Sequence, residues 1–236
     1  MTESTQLALK VQLPDDETFS SYKSLQNDAI SKQLQHFVRR SENDSPCFFY
    51  LFGLAGVGKS HLLHASSHYA AQLGKSSVCL SCAELIHLPI EVLDGLEQMN
   101  LICLDDIQLV AGNALWQKAI FDLYNRVLEQ NNCLLITGNQ SANQLDISLP
   151  DLVSRLSWGL TEQLKPLDDA QKIVALQYRA NQRGLVLSYE VVSFLLTRLS
   201  RDMTSLINSL DELDKASILQ QRKITIPFIK EVLAYD

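Results

Sequence analysis

With 236 residues, 46% of them hydrophobic, the chain carries enough apolar material for one sizeable core and a smaller second unit. Its 27 acidic residues outnumber 20 Lys and Arg, giving a formal net charge of −7. That balance argues against a protein whose main business is coating DNA, because neutralising phosphates takes clustered cations, and it points to protein partners instead. No apolar run reaches the roughly 18 residues of a membrane span, and the start Met1-Thr2-Glu3-Ser4-Thr5 lacks a secretory signal, so a cytoplasmic address with no membrane contact is expected.

Five short apolar runs read as buried strands: residues 47–52, 77–81, 101–104, 133–137 and 158–164. Between them, residues 60–73 and 114–130 show helical spacing, with Trp116, Ile120, Leu123, Tyr124 and Val127 on one stripe of the second. Strands alternating with helices imply a mainly parallel sheet covered on both faces. After Pro166 the pattern becomes helical throughout: residues 168–183, 188–199 and 202–220, then a last helix after Pro227. Gly184 reads as the C′ residue ending the first of these, and Ser188 as the N-cap opening the second. The expected organisation is an extension over residues 1–13, an α/β domain over 14–165 and a small helical domain over 166–236.

Of the five cysteines, Cys47, Cys79, Cys103 and Cys133 sit in or beside apolar runs and read as core thiols. Cys79 and Cys82 have redox spacing, but the pair closes a strand-like run where a redox pair would open a helix. His61, His64 and His68 share a helical face, yet no further ligand stands near them, and solvated helix histidines are the commoner case.

The chemistry is concentrated in Gly53-Leu54-Ala55-Gly56-Val57-Gly58-Lys59-Ser60, which matches G-x-x-x-x-G-K-[ST] directly after a strand and before a helix. Gly53, Gly56 and Gly58 let backbone N–H groups, that of Val57 included, curl around phosphate oxygens, and the helix N-terminus adds partial positive charge. Lys59 is expected to reach the β- and γ-phosphates and Ser60 to ligate Mg²⁺, with His61 next in the chain. Further on, Leu101-Ile102-Cys103-Leu104-Asp105-Asp106 is an apolar strand ending in two carboxylates. At the carboxyl edge of a parallel sheet Asp105 is expected to hold Mg²⁺ and Asp106 to orient an attacking water. The strand at 133–137 ends in Gly138-Asn139, which makes Asn139 a candidate γ-phosphate sensor and, equally, an ordinary turn residue. The bound group is expected to be ADP or ATP with Mg²⁺, its base lying near Phe19 and Tyr22.

A phosphate loop, a strand ending in Asp-Asp, a polar strand tip and trailing helices together resemble the AAA+ family. Leu104-Asp105-Asp106-Ile107-Gln108, Ser154-Arg155-Leu156-Ser157-Trp158-Gly159-Leu160 and Thr18-Phe19 resemble its DnaA-like branch in particular, over roughly residues 14 to 220. The resemblance implies a P-loop AAA+ fold: a parallel five-stranded sheet flanked by helices, followed by an all-helical lid. It also makes Arg155 a candidate arginine finger facing a neighbouring subunit. The chain departs from the initiators in two ways. It reads as lacking their DNA-box-reading domain, so no sequence-specific nucleic acid contact is expected, and Gln6-Leu7-Ala8-Leu9-Lys10-Val11 resembles a sliding-clamp-binding peptide. In an extended chain Leu7, Leu9 and Val11 share one side at period 2 while Gln6 bonds at a groove rim; an ordinary edge strand is the competing reading.

What this combination implies is a negative regulator of chromosomal replication initiation. Such a family member, holding ADP and tethered to the DNA polymerase III β sliding clamp, makes the initiator DnaA hydrolyse its ATP. Lid helices of the family commonly present an arginine to the γ-phosphate; here Thr204 takes that position, with Arg201 three residues earlier, which implies weak hydrolysis or none by the chain alone. A helicase-loader ATPase acting on single-stranded DNA is the alternative and an autonomous ATPase a third reading, while homo-oligomer formation is left open.

Overall fold

The computed structural model describes residues 17–40, 47–198 and 202–233. Gln6, Leu7, Leu9 and Val11, expected to bind the clamp, and Arg201 lie outside the described residues. Five strands, β1 (Phe48–Phe52), β2 (Ser77–Ser81), β3 (Leu101–Asp105), β4 (Cys133–Gly138) and β5 (Leu160–Gln163), form one sheet in the order β2-β3-β4-β1-β5, with every pairing parallel. Around them run α1 (Asp28–Arg39), α2 (Lys59–Gln72), the single turn α3 (Cys82–Leu85), α4 (Ala114–Glu129) and α5 (Pro150–Leu156).

The period-2 alternation of the strands sorts the core into two layers. Phe48, Tyr50, Ile102, Leu104, Leu134 and Ile136 pack with the buried stripe of α4 on one face. Phe49, Leu51, Cys103, Cys133 and Leu135 pack with α1 and α2 on the other. A sheet buried on both faces needs near-continuous apolar strands, and β1, β3 and β4 supply them.

Helices α6 (Asp169–Gln182), α7 (Tyr189–Arg198), α8 (Met203–Gln220) and α9 (Ile226–Val232) share a separate apolar cluster around Leu176, Val192, Leu206, Leu210 and Phe228. Asp168 and Gln171 close a capping box on α6. Gly184 follows α6 at φ +75°, and the Ser188 hydroxyl accepts the Val191 N–H at 3.4 Å. The last helix begins at Ile226, so Pro227 lies in its first turn, where its missing N–H costs nothing, instead of preceding it.

Besides the single turn α3, two helices go beyond the sequence reading. The first, α1, buries Ile30, Leu34, Phe37 and Val38 on one stripe but has no side-chain N-cap to announce it, because Asn27 is committed elsewhere. The other, α5, is seven residues long with proline in its first turn and buries only Leu152 and Leu156. The final strand also starts later than residue 158: Trp158 lies outside it and is 65% exposed, and Gly159 turns the chain at φ +101°, where a Cβ would meet the Phe48 carbonyl at 3.0 Å.

Asn27 is fully buried and joins the start of α1 to the chain leaving β5. Its amide donates to the Lys165 carbonyl at 2.9 Å and its oxygen accepts the Lys165 N–H at 2.9 Å. Asn27→Ala strands both backbone groups of Lys165, so a loss of about 2–4 kcal/mol in unfolding free energy is expected, read as a lower denaturation midpoint in urea. A variant as stable as the parent would show that water replaces both bonds.

Candidate nucleotide site

The carboxyl ends of β1, β3 and β4 open on a cavity of about 700 Å³, roofed by the lid helices α6 and α8. One wall is the phosphate loop from Ala55 to His61, and opposite it stand Asp106, Gln108 and Asn139. Among the lining residues from the lid are Arg179 on α6 and Thr204 on α8.

The loop is shaped for close backbone approach. Gly56 sits at φ +74°, where a Cβ would lie 3.3 Å from the Met203 nitrogen, and Gly58 sits at φ +93°, where it would run into the Tyr22 ring at 2.6 Å. Only glycine fits either place. Lys59 is 7% exposed and donates to the carbonyls of Gly53 at 2.9 Å and Leu54 at 3.1 Å. Burial pulls its pKa down, while Asp106 and Asp105 pull it up. An ammonium has three donors, so one remains for a phosphate oxygen. A buried cation over a glycine cradle at a helix N-terminus is the donor set a polyphosphate requires.

Across the cavity, Asp106 is held at φ +58°, and its N–H bonds the Thr137 hydroxyl at 3.0 Å. Gln108 ties the two polar strand tips together, donating to Asp106 Oδ1 at 2.9 Å and accepting the Asn139 N–H at 3.1 Å. Sequence reasoning quoted Gln108 within its motif but gave it no role. Asp105 does not line the cavity; one of its oxygens accepts the hydroxyl proton of Thr137 on neighbouring β4.

Two other expected residues are placed differently. Gly53 is outside the cradle: a Cβ there would lie 2.9 Å from the Leu164 carbonyl, so it serves the contact of the loop with the end of β5. Phe19 is turned away from the cavity and packs edge-on against Tyr69 with ring centroids 5.8 Å apart. Tyr22 does line the cavity. Its hydroxyl donates to the Val57 carbonyl at 3.1 Å and accepts from Asn27, and burial pushes its pKa up to about 12. His61 Nε2 lies 2.9 Å from the Thr18 carbonyl and 3.2 Å from Ser21 Oγ, anchoring the segment that leads into α1. His64 lies 2.5 Å from Glu17 Oε2.

Arg155, in the last turn of α5, lies outside this cavity. Its guanidinium sits over the Tyr124 ring at 5.6 Å and near the exposed Trp158 ring at 6.0 Å. Cys82, contrary to the expectation from sequence, does open a helix turn, but it is buried and its thiol is pushed up to about 12, far from the range of a reactive thiolate.

Residues 89–163 match the family model for the bacterial DnaA ATPase domain. Residues 169–233 match the model for the lid domain of Hda. The chain is a DnaA-like AAA+ protein with an Hda-type lid. Its fold is similar to domain III of the Thermotoga maritima initiator DnaA, with TM-score 0.81 and 17% identity over 94% of this chain and 98% of that one. It is also similar to AMPPCP-bound DnaA from Aquifex aeolicus, with TM-score 0.70 and 19% identity over 88% of this chain and 67% of that one. The match to DnaI is looser: TM-score 0.53 and 20% identity over 64% of this chain and 88% of that one. Among the described residues no helix is long and apolar enough to cross a membrane.

Charges around Glu17 give the site a pH dependence. Burial alone would raise the Glu17 carboxyl, but the His64 hydrogen bond and the charges of His61, His64 and Arg179 hold it below its ordinary 4.5. Burial would lower His64, yet the Glu17 carboxylate lifts it above 6.5, helped by Cys79 and Asp105. A lowered acid contributes stability above its unfolded pKa, and a raised imidazolium contributes below its own, so the pair stabilises most between pH 4.5 and 6.5. The melting temperature advantage of the parent over His64→Gln is therefore expected to be largest near pH 6 and to shrink as pH rises through the raised His64 value. An advantage that does not vary with pH would remove the imidazolium from the account.

Proposed function

We propose that this chain is a regulator of replication initiation that holds an adenine nucleotide with Mg²⁺ in the cavity and supplies Arg155 to the ATP site of a DnaA-type initiator. The observation that carries this reading is the position of Arg155, on the edge of the α/β layer and outside the chain's own nucleotide cavity. A guanidinium outside the cavity does not serve the resident nucleotide, which in this reading leaves it to a neighbour's site. The DnaA and Hda family matches support the kind of neighbour, and the AMPPCP in a related DnaA supports the kind of nucleotide.

Within the cavity, the N–H groups of Gly56 to Gly58 and the Lys59 ammonium bind the phosphates. The hydroxyl of Ser60 would hold the metal from the cavity wall, and Asp105, outside the lining and bonded to Thr137, would act on it through a bridging water. Mg²⁺ held there would supply neutralisation of the phosphate charge. Asp106, held by Gln108, is placed to orient a water, and Asn139 to sense the terminal phosphate. With Thr204 in place of a lid cation, a triphosphate gains little over a diphosphate. ADP is therefore the preferred resident, and turnover by the chain alone falls well below about 1 s⁻¹.

Residues 6 to 11 serve in this reading as the tether to the sliding clamp, which concentrates the protein on DNA beside its target and produces regulatory inactivation of DnaA. A helicase loader acting on single-stranded DNA is the second reading, and the DnaI likeness favours it only over 64% of the chain.

The test measures ATP hydrolysis by purified initiator with clamp-loaded DNA, adding parent or variant chain. Arg155→Ala is expected to keep its nucleotide and its clamp contact while losing most of a stimulation of the order of 10³-fold or more, and Arg155→Lys to rescue poorly. Full stimulation by Arg155→Ala would end the finger role. In parallel, Lys59→Ala is expected to abolish binding of labelled ADP by calorimetry without loss of helical signal; parent-like affinity would refute the cavity assignment.

A further inference from the structure

Glu17 belongs to no motif, yet it lines the nucleotide cavity and touches both parts of the protein that form it. Its carboxylate, 14% exposed, has one oxygen 2.5 Å from His64 Nδ1 on α2, the helix that opens with Lys59. The other oxygen lies 3.5 Å from a terminal guanidinium nitrogen of Arg179 on α6, the first helix of the lid. Arg179 is only 12% exposed and lines the same cavity.

The backbone beside Glu17 is itself held. The Thr18 carbonyl accepts from the Ser21 and Tyr22 N–H groups and stands 2.9 Å from His61 Nε2, and the Thr18 N–H donates to Ser21 Oγ at 2.9 Å. Glu17 therefore cannot follow the lid if the lid moves away from α2. Parting the lid from the sheet separates Glu17 from Arg179 and gives up that contact, while Glu17 stays with His64 on α2. Closure is favoured by the same contact.

We propose that Glu17 is a positioning residue that latches the lid to the phosphate-loop helix over the bound nucleotide, so that it governs how fast a nucleoside diphosphate leaves. This rests on the reading that the cavity holds a nucleotide. Glu17 touches no reacting atom; it acts through Arg179 and His64.

The experiment is stopped-flow release of a fluorescent adenosine diphosphate with Mg²⁺ from the full chain, chased by unlabelled ADP. Glu17→Gln and Arg179→Ala are each expected to release it about tenfold faster or more, with association rates near the parent's. The double variant is expected to be no faster than the faster single, because both remove one contact. A merely structural role predicts effects that multiply, together with a lower melting temperature of the nucleotide-free protein. Release from Glu17→Gln at the parent rate, or multiplying effects in the double variant, would overturn the latch. Should Glu17→Gln fail to fold, the Arg179→Ala release rate decides alone. Failure of the parent to bind the probe would instead overturn the nucleotide reading, and the latch with it.

Discussion

The pairing of β1 with β4, and of β4 with β3, is the constraint on which the site depends. Phe52 at the end of β1 is in register with Gly138 at the end of β4, and Leu104 in β3 with Ile136 two residues before it. That register brings the phosphate loop, Asp106 and Asn139 to one edge, although they are far apart in the chain. It also leaves little room for error. A Cβ on Gly138 would lie 2.1 Å from the Tyr50 hydroxyl, which donates to the Gln140 carbonyl at 2.6 Å and so fastens the turn beyond β4 to β1. A slip of one residue would exchange the two apolar faces and bury the polar tips at once.

A second constraint acts from outside the sheet. Residues 17 to 27 lie along the phosphate loop, and Tyr22 fills the space that a side chain at Gly58 would need. Tyr22 is held by Asn27, and Asn27 by the backbone of Lys165, so the loop, the start of α1 and the exit from β5 are one connected polar network. Burying such a network is favourable only when its members are satisfied, and here the buried amide of Asn27 has partners on both sides. The preorganised loop is thus a product of tertiary contacts as much as of its glycines.

This explains what could be read from sequence. The strands were legible because their apolar runs are short, bounded and buried on both faces, and the loop because its glycines, lysine and serine stand at fixed spacing. Helix α1 was not, because its natural cap, Asn27, spends its side chain on a residue 138 positions away. For the same reason Glu17 and Arg179 were invisible: each is an ordinary surface charge until the fold sets them 3.5 Å apart. Phe19 and Tyr22 carry similar side chains three positions apart, but only their packing shows that one faces Tyr69 and the other the cavity. Local pattern reports local chemistry; pairings across the sheet and the lid follow from topology.

On the proposed reading, the same topology separates two electrostatic tasks that a self-sufficient ATPase combines. Inside the cavity Lys59 has two of its three donors committed to loop carbonyls, and α8 contributes Thr204, a side chain without charge, to the lining. Outside it, Arg155 stands over Tyr124, with Trp158 exposed beside it. Aromatic faces hold a guanidinium by its plane without using up its N–H donors. On the proposed reading, the chain retains its own nucleotide as a structural ligand that keeps lid and sheet together, and directs its catalytic charge outward. A protein built in this way gains little by hydrolysing what it holds, and its contribution to hydrolysis depends on what is docked against Arg155.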